Sequence, residues 1–261
     1  MDSNFFARLQ VLSSLSEETT IEKSRKELQK IVDFFKEQED YLENVTIFAE
    51  KVRNLSVQTL LDCDSFMVQD DFPLAKIPEE LQHESYGFCR NGYITYSGRY
   101  VYPVKDVHGQ VMGFCGYDKF EDTKYLDSTN YGYRAKTYCM WGMEKLPIYY
   151  RNKDLVFFVE GIVCALYLRQ EECQSLAMLG SQVSSYCCEI IRRFGNRAVV
   201  ICDSDEAGTK CRSLLRRKCP MARCIQSTVA KDVDDSRQAD PEFVTELKKL
   251  TNPFYQSKLF H

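Results

Sequence analysis

Apolar side chains recur every three to four residues near the start of the chain. Leu28, Ile31, Val32 and Phe35 stand at i, i+3, i+4 and i+7, and Val45, Phe48, Ala49 and Val52 repeat that spacing. Such spacing makes one face of a helix apolar, while Lys23, Arg25, Lys26, Glu27, Lys30, Glu37 and Glu39 supply solvated faces. Residues 1–62 are therefore expected to be helical, either as a hairpin packed on the rest or as an arm that docks a partner. From about residue 63 the helical period fades, and Gly and Tyr become frequent. Two strand-like runs, Gly98–Asp106 and Val107–Gly116, flank an Asp/His/Gly turn and predict a hairpin. Gly113 and Gly116 remove side chains from its second strand, where a ligand or another backbone could approach closely.

From 153 onward strand and helix patterns alternate. Leu155–Val159, Ser175–Leu179, Ala198–Cys202 and Ala222–Gln226 read as strands. Helices are expected over Ile162–Gln170, from a Ser184 or Ser185 cap to Phe194 with Gly195 as the stop, and over Glu206–Cys219 before Pro220. Residues 237–250 read as one closing helix and 251–261 as a tail. Alternation of this kind predicts a parallel α/β sheet flanked by helices. The expected organisation is a helical segment (1–62), a mixed α+β subdomain (63–150), an α/β domain (151–240) and a carboxyl-terminal helix and tail (241–261).

With 44% hydrophobic and 28% charged residues in 261, the composition excludes a fibrous or largely disordered chain. No apolar run approaches the roughly 18–20 residues of a membrane span. Met1–Gln10 contains Asp2 and Arg8 without a secretory-type apolar core, so no export signal is expected and the location is expected to be cytoplasmic. The net charge of −4 gives no bulk attraction to nucleic acid, so any such binding needs a local patch. Lys210, Arg212, Arg216, Arg217, Lys218 and Arg223, with no acid from 209 to 224, offer one, although a solvated helix face explains them equally. Twelve cysteines are present, but no Cys-x-x-Cys pair. Reduced, buried thiols are expected, and no zinc site is predicted.

The candidate chemistry lies in acids that follow strands. Glu160, then Asp203 with Asp205, then Asp232, Asp234 and Asp235 each sit just beyond a predicted strand. In an open α/β sheet the ligand site lies outside the carboxyl ends of the strands. One acid there is ordinarily a helix cap or a solvated turn. Several converging acids repel one another unless a cation joins them, and hard oxygen donors suit Mg²⁺ or Mn²⁺.

Residues 153–236 resemble the TOPRIM domain of primases, topoisomerases, small nucleases and recombination mediators. The matching pieces are Val159-Glu160-Gly161, Ala177–Gly180, Asp203-Ser204-Asp205-Glu206-Ala207-Gly208 and Lys231–Asp235. The family's metal-binding acids correspond by that resemblance to Glu160, Asp203, Asp205 and either Asp232 or Asp234. Upstream, Gly98–Gly116, Lys124–Ser128 and Lys136–Gly142 are similar, in order, to three blocks of the basic subdomain of replicative primases. The resemblance covers roughly 95–240. It implies that Lys124, Lys136 and Arg99 contact template or nucleoside triphosphate, and that the activity is synthesis of short RNA primers on single-stranded DNA by divalent-metal-assisted nucleotidyl transfer.

Where many relatives carry an arginine after the Gly-x-Gly piece, this chain has Tyr117-Asp118, with Arg99 or Arg134 as candidate substitutes. The zinc-binding and helicase-binding modules usual in primases have no counterpart here, a layout similar to a phage or mobile-element primase core. A replicative helicase and a separate zinc-binding module are accordingly implied as partners. Two rival readings are a metal-dependent nuclease built on the same acids and a non-catalytic single-strand- or helicase-binding replication module.

Overall fold

A computed structural model describes residues 18–118, 125–127, 129, 130, 133, 134, 139–250, 259 and 260. The chain divides into two compact units, Met1–Cys139 and Met140–His261.

In the first unit, helix α1 (Glu18–Lys36) turns Leu28, Ile31, Val32 and Phe35 inward, all nearly inaccessible, as their spacing predicts. Helix α2 (Tyr41–Ile47) follows, and a π-helical stretch over Phe48–Arg53 then takes up the second predicted helical stripe before α3 (Val57–Leu61). Strand β1 (Phe66–Val68) leads through 3-10 turns to the small hairpin β2 (Cys89–Arg90) and β3 (Tyr93–Ile94). The predicted larger hairpin is β4 (Arg99–Lys105) and β5 (Val111–Tyr117). Its turn is closed by Asp106, whose Oδ1 accepts the His108 and Gln110 N–H groups at 2.9 and 3.0 Å. Together with β6 (Tyr125–Asp127) these strands form an antiparallel sheet ordered β1-β4-β5-β6. A further small hairpin joins β7 (Thr129–Asn130) to β8 (Tyr133–Arg134).

Both faces of this sheet are covered, which is why β4 and β5 read as near-continuous buried runs rather than as an alternation. On one face Phe35 of α1 stacks on Phe66, with centroids 4.7 Å apart. On the other, Phe48 stacks on Tyr100 at 3.8 Å. A Cβ at Gly116 would lie 2.5 Å from the Tyr96 ring, so this glycine makes room for an internal aromatic side chain rather than for a ligand.

Near the start of the second unit, the Trp141 backbone pairs with Ala177 through reciprocal N–H···O bonds of 2.9 and 3.1 Å. Arg169 lies 4.3 Å over its ring. These contacts bind residues 140–150, including the start of α4 (Leu146–Arg151), to the sheet that follows, although their sequence texture groups them with the preceding segment. That sheet contains β9 (Val156–Val159), β10 (Gln174–Ala177), β11 (Ala198–Cys202) and β12 (Arg223–Gln226), all parallel and ordered β10-β9-β11-β12. The intervening helices are α5 (Ile162–Gln170), α6 (Ser185–Phe194) and α7 (Glu206–Lys218). The fold class expected from the alternation is thus the one observed.

Three expectations need correction. Strand β10 stops at Ala177, because Leu179 adopts a left-handed φ of 61° that ends strand geometry. Residues 237–250 are not one helix. Asp232 starts α8 (Val233–Ala239), and after Asp240-Pro241 a separate α9 (Phe243–Lys249) begins; proline lacks the N–H that a continuous helix needs there. Finally, the second stripe of the amino-terminal segment is carried by α2 and the π-helical stretch rather than by one regular helix. All twelve cysteines are free and buried.

Candidate metal centre

Strand order fixes the place of the candidate site. The chain leaves β9 towards β10 on one side and then crosses back to β11 on the other, so β9 and β11 flank a topological switch point, where open α/β sheets bind ligands. Ile201 pairs with Val159, which sets the next residues of each strand, Cys202 and Glu160, side by side at the carboxyl edge.

Each acid is held by local backbone. Glu160 Oε1 accepts the Asp203 N–H at 3.0 Å, and the Glu160 carbonyl accepts the Gly180 N–H at 3.0 Å. The Asp203 carbonyl accepts Gln226 Nε2 at 2.7 Å. A Cβ at Gly208 would lie 2.0 Å from that carbonyl, which explains the glycine of the Asp-x-Asp-x-x-Gly piece. Asp205 caps α7, accepting the Gly208 N–H at 2.8 Å, while its other oxygen meets Lys231 Nζ at 3.3 Å. Asp232 caps α8 by accepting the Asp235 N–H at 2.9 Å. The loop bearing Lys231 and Asp232 is pinned to the Asp203–Asp205 turn, because Ser204 N–H donates to the Lys231 carbonyl and Ser204 Oγ to the Ser227 carbonyl, at 2.7 and 2.6 Å.

The electrostatics follow from this crowding. Burial, then the charges of Glu160 and Asp232, push the Asp203 carboxyl up to about 7. Burial likewise raises Glu160 and Asp232 above the ordinary carboxylate range. Asp205 moves the other way, held low by the Gly208 N–H and by Lys231. Carboxylates that raise one another's pKa, opposed mainly by a single lysine, are a donor set in search of positive charge. All are oxygen donors, and they fit a hard divalent cation such as Mg²⁺ or Mn²⁺.

Glu160, Asp203, Asp205 and Asp232 thus share one edge of the sheet, near enough for their charges to act on Asp203, although no three of their carboxylates lie within 4.8 Å of one another. Asp234 is buried on α8, where its Oδ1 accepts Gln238 Nε2 at 2.6 Å and its charge helps raise Asp232. Arg99 opens β4 in the first unit, with its stem against Gly116. Lys124 and Lys136 lie outside the described residues, as does the side chain of Arg134. The basic patch is partly structural, since Arg216 donates to the Cys224 carbonyl, Arg223 to the Leu250 carbonyl, and Lys210 pairs with Glu206. Sequence reasoning missed Lys231 and Gln226. Lys231 stood inside the Lys231–Asp235 motif, and the signal that could have found it was one basic residue beside three acids. Gln226 gave only the weak signal of a polar residue closing an apolar strand.

No protein-family model matches the chain. Among curated proteins, it is similar to the DNA primase of Legionella pneumophila, 28% identical over 119 residues, or 44% of this chain and 21% of that one. The DNA primase of Listeria monocytogenes is 24% identical over 163 residues, 59% of this chain and 26% of the relative. The matches thus span only about a fifth to a quarter of those relatives' length. Among solved structures, the DnaG primase catalytic domain bound to single-stranded DNA superposes with a TM-score of 0.70 at 17% identity, over 88% of this chain and 78% of that chain. The Aquifex aeolicus primase, solved with its zinc-binding and RNA polymerase domains, gives a TM-score of 0.70 at 22% identity, over 93% of this chain and 62% of the other. The chain is thus similar in sequence to bacterial DNA primases over about half its length and carries the fold of their catalytic core.

Proposed function

We propose that this chain is the catalytic core of a primase, a nucleotidyltransferase that makes short RNA primers on a single-stranded DNA template. What supports the reading is that Glu160, Asp203, Asp205 and Asp232 share the carboxyl edge at the switch point of the parallel sheet, with Lys231 paired to Asp205.

In this reading Glu160, Asp203 and Asp205 hold Mg²⁺ or Mn²⁺, and Asp232 completes the set in preference to Asp234. Such an ion, when bound, neutralises polyphosphate charge and favours ionisation of the attacking 3′-hydroxyl. The protein's own part is positioning. The Asp203 N–H keeps Glu160 turned into the site, Gly208 lets the Asp203 backbone sit against α7, and Lys231 keeps Asp205 ionised. Arg99, Lys124 and Lys136 hold phosphates of the template or of the nucleoside triphosphate. Single-stranded DNA and ribonucleoside triphosphates are the substrates. A replicative helicase and a separate zinc-binding module are partners, the latter in keeping with the pairing of such a module and a polymerase domain in the Aquifex protein. The setting is cytoplasmic.

The test is incubation with single-stranded DNA, ribonucleotides and Mg²⁺ or Mn²⁺. Labelled oligoribonucleotides are expected from the unaltered chain and absent with Asp203→Ala. Shortening of the template instead would identify a nuclease, and binding without either product a non-catalytic module.

A further inference from the structure

Behind the carboxylates lies a second constellation of different chemistry. Cys202 ends β11, one residue before Asp203, and Cys211 lies on the buried face of α7, one turn before Leu215. Both thiols are almost wholly inaccessible, at 1% and 2% exposure. Their Sγ atoms and a carboxylate oxygen of Glu160 all lie within 4.8 Å of one another. Among the described residues this is the one group of three or more such ligands that close together. The carboxyl edge of the sheet explains the meeting: Glu160 and Cys202 are neighbours across β9 and β11, and α7 folds back over both.

We propose that Cys202, Cys211 and Glu160 form a second metal site, one that captures thiophilic divalent ions such as Zn²⁺ and in doing so withdraws Glu160 from the carboxylate centre. Tetrahedral zinc with two sulfur ligands sets them about 3.8 Å apart, so closure from the observed spacing needs only rotamer-scale movement. Two sulfurs and one oxygen are a poor set for Mg²⁺ and a good one for zinc. The three donors leave an open position for water. The two sites share the Glu160 carboxylate and so compete for it.

The binding claim stands on its own, whereas the consequence for activity rests on the primase reading. The probe is Co²⁺ added to the full chain, stripped of metal and kept reduced, because thiolate coordination gives a strong charge-transfer absorption that oxygen coordination lacks. That band is expected with a single bound ion, to be bleached by Zn²⁺, and to be lost in Cys211→Ser together with at least about tenfold in Zn²⁺ affinity. Cys173→Ser, at the opposite edge of the sheet, retains it. Absence of the band in the unaltered chain, or its survival in folded Cys211→Ser, overturns the site. Should Cys211→Ser fail to fold, Cys202→Ser gives the same readout. Where primer synthesis is measurable, Zn²⁺ is expected to inhibit the unaltered chain at levels that leave Cys211→Ser active. Equal inhibition of both would overturn the coupling to Glu160, whereas an intact band in a chain that makes no primer counts against the primase reading alone.

Discussion

At the residue scale, two positions carry consequences that separate geometry from charge. Gly208 has no room for a methyl group, since its Cβ would stand 2.0 Å from the Asp203 carbonyl, and backbone cannot swing aside as a flexible side chain can. Alanine is the better helix former, but the clash outweighs that gain. Gly208→Ala is expected to cost about 1–3 kcal/mol in urea denaturation and to displace Asp203, so metal-dependent stabilisation should fall with it. An unchanged midpoint would refute the close approach. Asp203 makes the charge prediction. Its carboxyl is raised from 3.8 to about 7, so the folded chain holds this proton more tightly than the unfolded chain does. Stability of the metal-free protein should therefore decline as pH rises from about 4 to about 7. Glu160 and Asp232, shifted in the same direction, add to the decline. Added Mg²⁺ should flatten the slope, and Asp203→Asn should reduce it without metal. A metal-free stability that climbs through this range would contradict the clustering.

At the element scale, the cap of α6 gives a clean measurement. Ser184 Oγ accepts the Cys187 N–H at 3.1 Å, while Gly195 ends the helix at a φ of 58°. Ser184→Ala is expected to cost about 1 kcal/mol, read from urea unfolding, and Ser184→Asp to restore most of it. The same helix shows why so much of the second unit was legible in the sequence. Its caps are side-chain chemistry written into adjacent positions, and β11 is a fully buried run of five residues. Glu160, Asp203 and Asp205 were legible for a related reason, because residues that follow parallel strands share one sheet edge whatever the details of packing. What was not legible depends on contacts distant in sequence. The left-handed Leu179 answers to a turn in which Met178 and Gly180 N–H groups bond back to Val159 and Glu160, and nothing local announces it. The Trp141–Ala177 bridge reassigns a whole segment through two backbone bonds between residues 36 positions apart. Between Asp232 and Asp234 the spacing along the chain offers no preference, since both stand in the same short acidic run after one strand.

At the scale of the whole molecule, every carboxylate of the candidate centre, together with Lys231, belongs to Met140–His261, whereas Arg99, Lys124 and Lys136 belong to Met1–Cys139. On the primase reading, this division would separate metal binding from substrate handling along the chain. A ligand that binds only the folded state stabilises it by RT ln(1 + [L]/Kd), about 2.7 kcal/mol at a hundredfold excess over Kd. If the metal donors are complete within the second unit, residues 140–261 expressed alone should gain as much thermal stability from Mg²⁺ as the full chain gains. On the primase reading they should nevertheless make no primers, because Arg99, Lys124 and Lys136 are absent from the fragment. Glu160→Gln should abolish the Mg²⁺ increment in both contexts. An increment present in the full chain and missing in the folded fragment would mean that a donor comes from the first unit. Synthesis by the fragment alone would remove Arg99, Lys124 and Lys136 from the chemistry altogether.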